Sequence, residues 1–318
     1  MTATSGLAPE RSDDTVDLSI IILNWNTRDD LRRALQSIVD SRPCVSVEVL
    51  AVDNASEDDS VAMVQAEFPS VRVIQNETNL GFGAGNNRGI RHASGRYVLF
   101  LNSDTIVTEG AWDSLVAYAD TRPDAGVFGP KLLNGDGSLQ LSCRSFPNLG
   151  TGFFRNTPLG RLFPKNRFTR DYMLSGWDHN SPRDVDWVSG SALMIRRRLL
   201  EELGGFDEGF FMYCEDVDLC YRAHLAGAAV AYYPGAVIYH LIGRSSDLVP
   251  TRMTYEFHRS MYRFYIKHYR ANTPIYVRPF ILPGLVLRAV GRLIRHRLHS
   301  LKVLRARRRT RNEGNGVS

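Results

Sequence analysis

Four short runs rich in β-branched residues set the terms for the fold: 18 to 23 (LSIIIL), 47 to 52 (VEVLAV), 71 to 74 (VRVI) and 97 to 101 (YVLFL). They lack the strict apolar–polar alternation of a half-solvated strand, which points to strands buried on both faces, as in a parallel sheet covered by helices. The stretches between them, Asp29 to Asp40, Asp58 to Glu67 and Gly83 to Ala93, read as helices. Strand and helix alternating in this way predict an α/β protein with a mostly parallel sheet and helices on both faces. After Gly129 the rhythm breaks. Residues 144 to 183 read as an irregular segment punctuated by Pro and Gly, with seven Lys or Arg against two Asp, and a loop of that length inside a domain is usually functional or mobile. The pattern resumes with VDWVSGSALMIR (185 to 196), a helix from about Glu215 to Ala226, and two strand-like runs, AVAYY and AVIYH.

Composition narrows the class further. With 43% hydrophobic residues and four cysteines in 318 residues, the chain is neither disordered nor a disulfide scaffold, and without a CxxC pair structural zinc is not expected. The net charge of +5 is unevenly placed. Ten of the 39 Lys and Arg fall between Arg288 and Arg311 with no acid among them, which leaves 29 against 34 acids elsewhere. The body is therefore acidic and the tail basic, and no nucleic-acid partner is expected. Residues 1 to 16 read as a disordered leader without the apolar core of a signal peptide. The longest apolar run near the C-terminus, residues 280 to 287 (FILPGLVL), is far short of the roughly 20 residues a spanning helix needs. A cytoplasmic location, free or peripheral to the inner face of the membrane, is expected.

In a parallel sheet, ligands bind beyond the carboxyl ends of the strands. Polar clusters stand at those ends: Leu23, Asn24, Trp25 and Asn26 after the first run, Asp53 and Asn54 after the second, and Asn102, Ser103 and Asp104 after the fourth. Asn and Asp favour turns in any case, but three such clusters on one edge point to a site. The segment NLGFGAGNNRG (79 to 89) carries Gly81, Gly83 and Gly85 in GxGxG and not GxGxxG spacing, so it is no dinucleotide fingerprint. It fits a helix-start turn as readily as a phosphate site. Asp104 places a carboxylate where a hard cation bridging two phosphates would sit. Glu215 and Asp216 open a helix after a Gly- and Phe-rich loop, whereas Asp218 and Arg222 form an i, i+4 pair and read as structural.

Together these segments resemble the inverting family 2 glycosyltransferases of the glycosyltransferase A fold, in the branch usually labelled rhamnosyltransferases. The resemblance rests on SIIILNWNTRDDL (19 to 31), VDNASEDDS (52 to 60), NLGFGAGNNRGI (79 to 90), YVLFLNSD (97 to 104), WVSGSALMIRR (187 to 197), EDVDLCYRAHLAG (215 to 227) and YHLIGRSS (239 to 246), in the family's order. It implies that Leu23, Asn24, Trp25, Asn26, Asp53 and Asn54 contact the nucleoside of a dTDP- or UDP-sugar. It implies too that Gly83, Asn86, Asn87, Asn102, Ser103 and Asp104 line the rest of the donor. Asp104 matches the last Asp of the family's DXD motif, whose first Asp is Asn102 here, and His240 matches a further metal position, so Mg2+ or Mn2+ is implied as cofactor. Asp216, with Glu215 beside it, matches the proposed catalytic base. Trp187, Gly190 and Ser191 fall on the sugar and acceptor side, together with the 144 to 183 segment. MTYEFHRSMYRFYIKHY (253 to 269) reads first as an aromatic packing helix, with His258, Arg259 and Arg263 as candidates for an acceptor pyrophosphate.

The implied domain plan is a catalytic domain over 17–250, a C-terminal helical region over 251–311 and a disordered tail over 312–318. At helical spacing Arg288, Arg292, Arg295, His299 and Lys302 share one face and Leu287, Val290, Ile294, Leu298 and Leu301 the other, while Arg297 and Arg305 interrupt the apolar stripe. A helix so divided over 285–311 suits an anionic membrane surface, where a glycan or polyprenyl-diphosphate-linked acceptor would be met. The expected activity is transfer of a sugar, rhamnose from dTDP-rhamnose in the first instance, for cell-envelope polysaccharide. The alternative is a non-catalytic nucleotide-sugar binding or scaffold protein on the same fold.

Overall fold

The computed structural model describes residues 16–154, 158–241, 250–294 and 297. The run LSIIIL has a strand at each edge and an apolar cluster against each face, so it is buried all round. Strand β1 (Leu18–Asn24) pairs in parallel with β2 (Val47–Asp53) and with β4 (Tyr97–Asn102), and β2 pairs in parallel with β3 (Arg72–Gln75). Leu18, Ile20, Ile21 and Ile22 have no solvent exposure. The crossovers are α1 (Arg28–Asp40), α2 (Ser60–Glu67) and α3 (Phe82–Ile90). In α1 the buried residues Leu31, Ala34, Leu35 and Ile38 recur at three- and four-residue steps, one stripe turned to the sheet. Helix α3 approaches more closely, because a Cβ on Gly89 would lie 2.6 Å from Ile21 Cγ2.

Past β4 the sheet becomes mixed. Its order is β3-β2-β1-β4-β11-β6-β12-β5, with β5 (Thr105–Val107), β6 (Ala125–Leu133), β11 (Ala192–Arg196) and β12 (Ala229–His240). Strand β11 runs antiparallel to both β4 and β6, whereas β12 runs parallel to β6. The two runs AVAYY and AVIYH form one strand and not two. Its register against β6 shifts between Tyr233 and Val237, where Pro234 has no N–H to give a ladder. Beyond the shift, His240 pairs with Thr105 of β5, the neighbour of Asp104.

The segment expected to be irregular is in part helical. It holds α5 (Leu149–Phe154), α6 (Pro158–Leu162) and α7 (Arg167–Met173), after α4 (Ala111–Asp120) and the short strands β7 (Leu139–Gln140) and β8 (Cys143–Arg144). Helices of five to seven residues are too short to print a 3.6-residue period on the sequence. Strands β9 (Arg183–Asp184) and β10 (Trp187–Val188) lead back to β11, followed by α8 (Arg197–Glu202) and α9 (Glu215–Leu225). Helix α10 (Pro250–Phe264) continues into a π-turn at Tyr265–Tyr269, and α11 covers 278–294. Two apolar cores lie on the two sides of the sheet. Among the described residues no helix is long and apolar enough to cross a membrane. The leader expected over 1–16 lies outside the described residues except for Val16, as does the basic tail beyond Ile294 except for Arg297.

Helix α9 is tied to the C-terminal helices by charge. Asp218 is fully buried and takes Arg222 Nε at 2.8 Å, Lys267 Nζ at 2.7 Å and His268 Nε2 at 2.7 Å. Burial opposes its ionisation, but the hydrogen bonds from His268 and Lys267 and the Arg222 charge outweigh it and hold the carboxyl below its usual range. The structural reading of Asp218 is therefore the one its surroundings support. Because the folded value is depressed, this stabilisation is complete above the unfolded carboxyl pKa of about 4 and fades as pH falls through the folded value. Asp218→Ala, which strands its cationic partners, is expected to cost about 3–5 kcal/mol in urea denaturation. Arg263→Ala, which breaks the exposed Arg263–Asp207 pair, is expected to cost less than about 1 kcal/mol.

Candidate active site

The parallel strands end on one edge, and the polar residues that follow them meet there. Asn24 Nδ2 donates to Asp53 Oδ1 at 3.0 Å and to Ser56 Oγ at 3.1 Å, while its Oδ1 accepts from Thr27 Oγ1 at 2.7 Å. The Thr27 hydrogen is thereby used, so Ser103 must be the donor in the 2.8 Å contact between the two hydroxyls. One chain of bonds thus joins the ends of β4, β1 and β2. Asn54 Nδ2 donates to the Gly81 carbonyl at 3.0 Å and steadies the glycine turn. Gly81 stands at φ 84°, and a Cβ there would lie 2.2 Å from the Phe211 carbonyl, so glycine is required. The Phe82 N–H donates to that same carbonyl at 2.7 Å, which locks the glycine turn to the loop ahead of α9.

Leu23, Asn24, Trp25, Asn54, Asn102, Ser103, Asp104, Trp187, Gly190, Ser191, Glu215, Asp216 and His240, all anticipated from the sequence, line a single cleft of about 660 Å³. Five other anticipated donor residues are not on its wall. Asn26 accepts from the Glu57 N–H and Asp53 from the Ser56 N–H, so both brace turns behind the cleft. Gly83 packs against Phe206, and Asn86 donates to the Phe82 carbonyl within α3. Asn87 clamps the following loop, donating to the Phe206 carbonyl and Glu208 and accepting from the Phe206 N–H. His258, Arg259 and Arg263 are also elsewhere: His258 is buried against the Thr254 carbonyl, Arg259 pairs with Glu256, and Arg263 pairs with Asp207.

The β12 register shift delivers His240 to Asp104. His240 Nε2 lies 3.2 Å from Asp104 Oδ1 and 3.2 Å from Asn102 Nδ2. Its Nδ1 lies 2.7 Å from Gln140 Oε1, and Gln140 Nε2 donates to Asn134 Oδ1 and to the His240 carbonyl. With the Gln140 amide oriented by those two bonds, its oxygen must accept, so Nδ1 carries a proton. Nε2 is then the ring nitrogen that faces the carboxylate, and a divalent cation held between the two would take it as a ligand. No third His, Cys, Asp or Glu joins them among the described residues, which leaves coordination positions for phosphate and water oxygens, a donor set that fits Mg2+ or Mn2+.

Also on the cleft wall, Tyr213 and Cys214 adopt left-handed φ of 70° and 66°, a costly turn of the kind found at sites. The turn presents the first residues of α9 to the cleft. Asp216 Oδ2 accepts the Gly190 N–H at 2.9 Å and Oδ1 the Val217 N–H at 2.8 Å. Burial raises the Asp216 pKa against the pull of those N–H groups and of Arg144. Glu215 is raised much further, first by burial and then by the charge of Asp216, and its Oε2 has no hydrogen-bond partner. The two carboxyls are therefore unequal: the environment favours neutral Glu215, and Asp216 is the more readily ionised.

Three arginines on the wall, Arg144, Arg252 and Arg288, went unanticipated. Arg144 stands over the Trp187 ring at 5.2 Å and the Tyr172 ring at 5.8 Å. The surplus of basic residues over 144 to 183 was the signal for it, though nothing distinguished it from its basic neighbours. Arg252 and Arg288 come from α10 and α11, which no sequence motif connects to the edge of the sheet.

A mixed sheet of this kind is shared with solved structures. The chain is similar to the mannosyltransferase PcManGT from Pyrobaculum calidifontis, solved with GDP-Man and Mn2+, with a TM-score of 0.54 over 92% of this chain and 84% of that one at 17% identity. It is similar also to TarS of S. aureus, solved with UDP-GlcNAc, with a TM-score of 0.54 over 86% of this chain and 73% of that one at 19% identity. At such identities the likeness concerns the fold, which is the glycosyltransferase A fold. The model for glycosyl transferase family 2 matches residues 19–204, and the chain belongs to that family. It is 33% identical over 260 residues to the N-acetylglucosaminyl-diphospho-decaprenol L-rhamnosyltransferase of Mycobacterium tuberculosis, covering 78% of this chain and 83% of that protein. It is also 34% identical over 164 residues to the rhamnosyltransferase WbbL of Escherichia coli K12, covering 48% of this chain and 58% of that protein. The protein is a glycosyltransferase of the rhamnosyltransferase-like kind.

Proposed function

We propose that the enzyme transfers L-rhamnose from dTDP-rhamnose to a polyprenyl-diphosphate-linked glycan at the inner face of a membrane, with inversion at the anomeric carbon. The observation that carries this reading is the presence of Asp216 and the Asp104–His240 pair in one cleft, in a chain similar over most of its length to a rhamnosyltransferase with a diphospho-decaprenol acceptor. Asn24 and Trp25 take the nucleoside side of the donor, and Asp104 and His240 would hold the cation. When bound, the cation offsets charge on the leaving diphosphate.

The chain's own contribution is positional and acid–base. The Gly190 and Val217 N–H groups fix the Asp216 carboxylate, which accepts the proton of the acceptor hydroxyl. The freed oxygen bonds to the anomeric carbon as the bond from that carbon to the diphosphate breaks, and nucleoside diphosphate departs. A single displacement of this kind needs no covalent enzyme intermediate. The buried Trp187 and Tyr172 on the cleft wall limit water, the competing nucleophile. The membrane contact is assigned to α11, whose Phe280 and Leu287 are 71% and 74% exposed, with Val286, Val290 and Ile294 also outward. No acid occurs from Phe257 to Asn312, which suits an anionic lipid surface.

Four outcomes test these assignments. Asp216→Asn is expected to lower kcat by about 10²- to 10⁴-fold with dTDP affinity unchanged by calorimetry, and a fully active variant overturns the base. The wild-type kcat should show an acid limb whose midpoint lies above the usual carboxylate range, because the Asp216 pKa is raised and the base works only when ionised. Gln140→Leu removes the oxygen that orients His240, and Mn2+ affinity measured by electron paramagnetic resonance is expected to fall about 10- to 100-fold. Unchanged affinity removes His240 from the metal site. Finally, Val286→Asp with Leu287→Asp is expected to release the protein from sedimenting anionic vesicles, and undiminished sedimentation places the contact elsewhere.

A further inference from the structure

The cleft extends beyond Asp216 into a part that a sugar nucleotide does not explain. Between α10, α11 and the loop before α9, its wall is formed by Met212, Met253, Phe257, Met261, Ile281 and Leu285. A nucleoside diphosphate sugar is polar along its length and gains little from such a wall. Side chains of this kind gain from any hydrocarbon that takes them out of water. Methionine adds adaptability, since its unbranched, polarisable chain fits ligands without a fixed shape. Two cations share this part of the wall. Arg252 is held with its guanidinium 4.6 Å from the centre of the Phe211 ring, and Arg288 faces the cleft from the inner side of α11. The outer side of the same helix carries the exposed Val286 and Leu287.

We propose that this annex is the acceptor-lipid site, in which Arg252 and Arg288 receive a diphosphate and the apolar wall receives the first isoprene units attached to it. The inference deepens the proposed transfer to a lipid-linked glycan and rests on that reading. A basic pair directly against an apolar channel matches an amphiphile whose charge and hydrocarbon are covalently adjacent. A free anion would leave the channel unused, and a neutral lipid would leave the arginines unused. The channel is continuous with the wall that carries Asp216, so a sugar on the far side of the diphosphate would be directed at the candidate base. It is also bounded by α11, so the remaining hydrocarbon can leave toward the face assigned to the membrane.

Farnesyl diphosphate, titrated calorimetrically against the full chain without vesicles or detergent, tests the site. Wild type is expected to bind it at least about tenfold more tightly than inorganic pyrophosphate, and equal affinity overturns the channel. Ile281→Glu with Leu285→Glu is expected to weaken farnesyl diphosphate by at least about tenfold and to leave dTDP unchanged. Arg252→Ala with Arg288→Ala should weaken farnesyl diphosphate similarly but not farnesol, which separates the diphosphate contact from the hydrocarbon contact. If the glutamate variant fails to fold, the arginine variant decides alone, and farnesyl diphosphate affinity unchanged in either folded variant overturns the proposal. Val286→Asp with Leu287→Asp, on the outer face, should leave farnesyl diphosphate binding intact, and loss of binding there shows the probe sitting on the outer face and overturns the annex. Binding of dTDP-rhamnose without farnesyl diphosphate defeats the annex alone. Binding of farnesyl diphosphate without dTDP-rhamnose supports the annex and defeats the donor assignment alone.

Discussion

The parallel register of β1 with its two neighbours is the constraint on which the rest of the site depends. Asn24 stands opposite Asp53, and Leu23 stands opposite Asn102. Three strands therefore release their chains at one level, and the polar residues that follow meet in one hydrogen-bonded line from Ser103 through Thr27 and Asn24 to Asp53. A shift of one residue in any of these strands would turn its buried aliphatic face inside out. The core that fixes the register thus also fixes the edge, and the edge needs no stabilisation of its own to be ordered. The wall formed by the loop ahead of α9 is less securely supported. It depends on a left-handed pair, Tyr213 and Cys214, and on glycine at 81 to admit the Phe211 carbonyl.

Two acids on one helix turn show how position separates structure from chemistry. Asp216 and Asp218 are two residues apart, so they leave α9 in different directions. Asp218 points to the Lys267 and His268 side and is surrounded by cations, which keep it ionised and inert. Asp216 points to the cleft, is held only by backbone N–H groups, and is pushed toward protonation by burial. A base must give up its charge when a proton arrives, and only the second arrangement permits that at modest cost. The pairing of Asp218 also docks α10 against α9, so the inert acid helps to build the wall that the other acid serves.

Much of the sheet was legible in the sequence, because buried parallel strands are nearly uniform apolar runs. β1, β2, β3 and β4 begin and end within one residue of the runs read at 18 to 23, 47 to 52, 71 to 74 and 97 to 101. The strand-end residues followed, since a parallel sheet admits one functional edge. The helices of 144 to 183 were not legible because none is long enough to repeat a face. Asn86 and Asn87 misled for a different reason: a polar pair beside glycines looks alike whether it meets a phosphate or clamps a loop, and here Asn87 clamps Phe206. Arg252 and Arg288 were hidden because their place in the cleft is a tertiary fact, set by the packing of α10 and α11.

The net charge of +5 acquires a structural meaning in α11. A surface helix that merely covered the body would turn its apolar side inward, yet here Arg288 faces the cleft while Leu287 and Val290 face outward. That inversion leaves apolar surface in water, which is unfavourable for an isolated molecule and favourable once lipid covers it. On the proposed function, the basic residues then act at two ranges. Those beyond the body draw it to an anionic surface within about a Debye length, and Arg288 acts at contact distance on a phosphate. Holding enzyme and acceptor at one surface raises their effective concentration without any further contact between them, so binding energy in the cleft is left for the reacting hydroxyl.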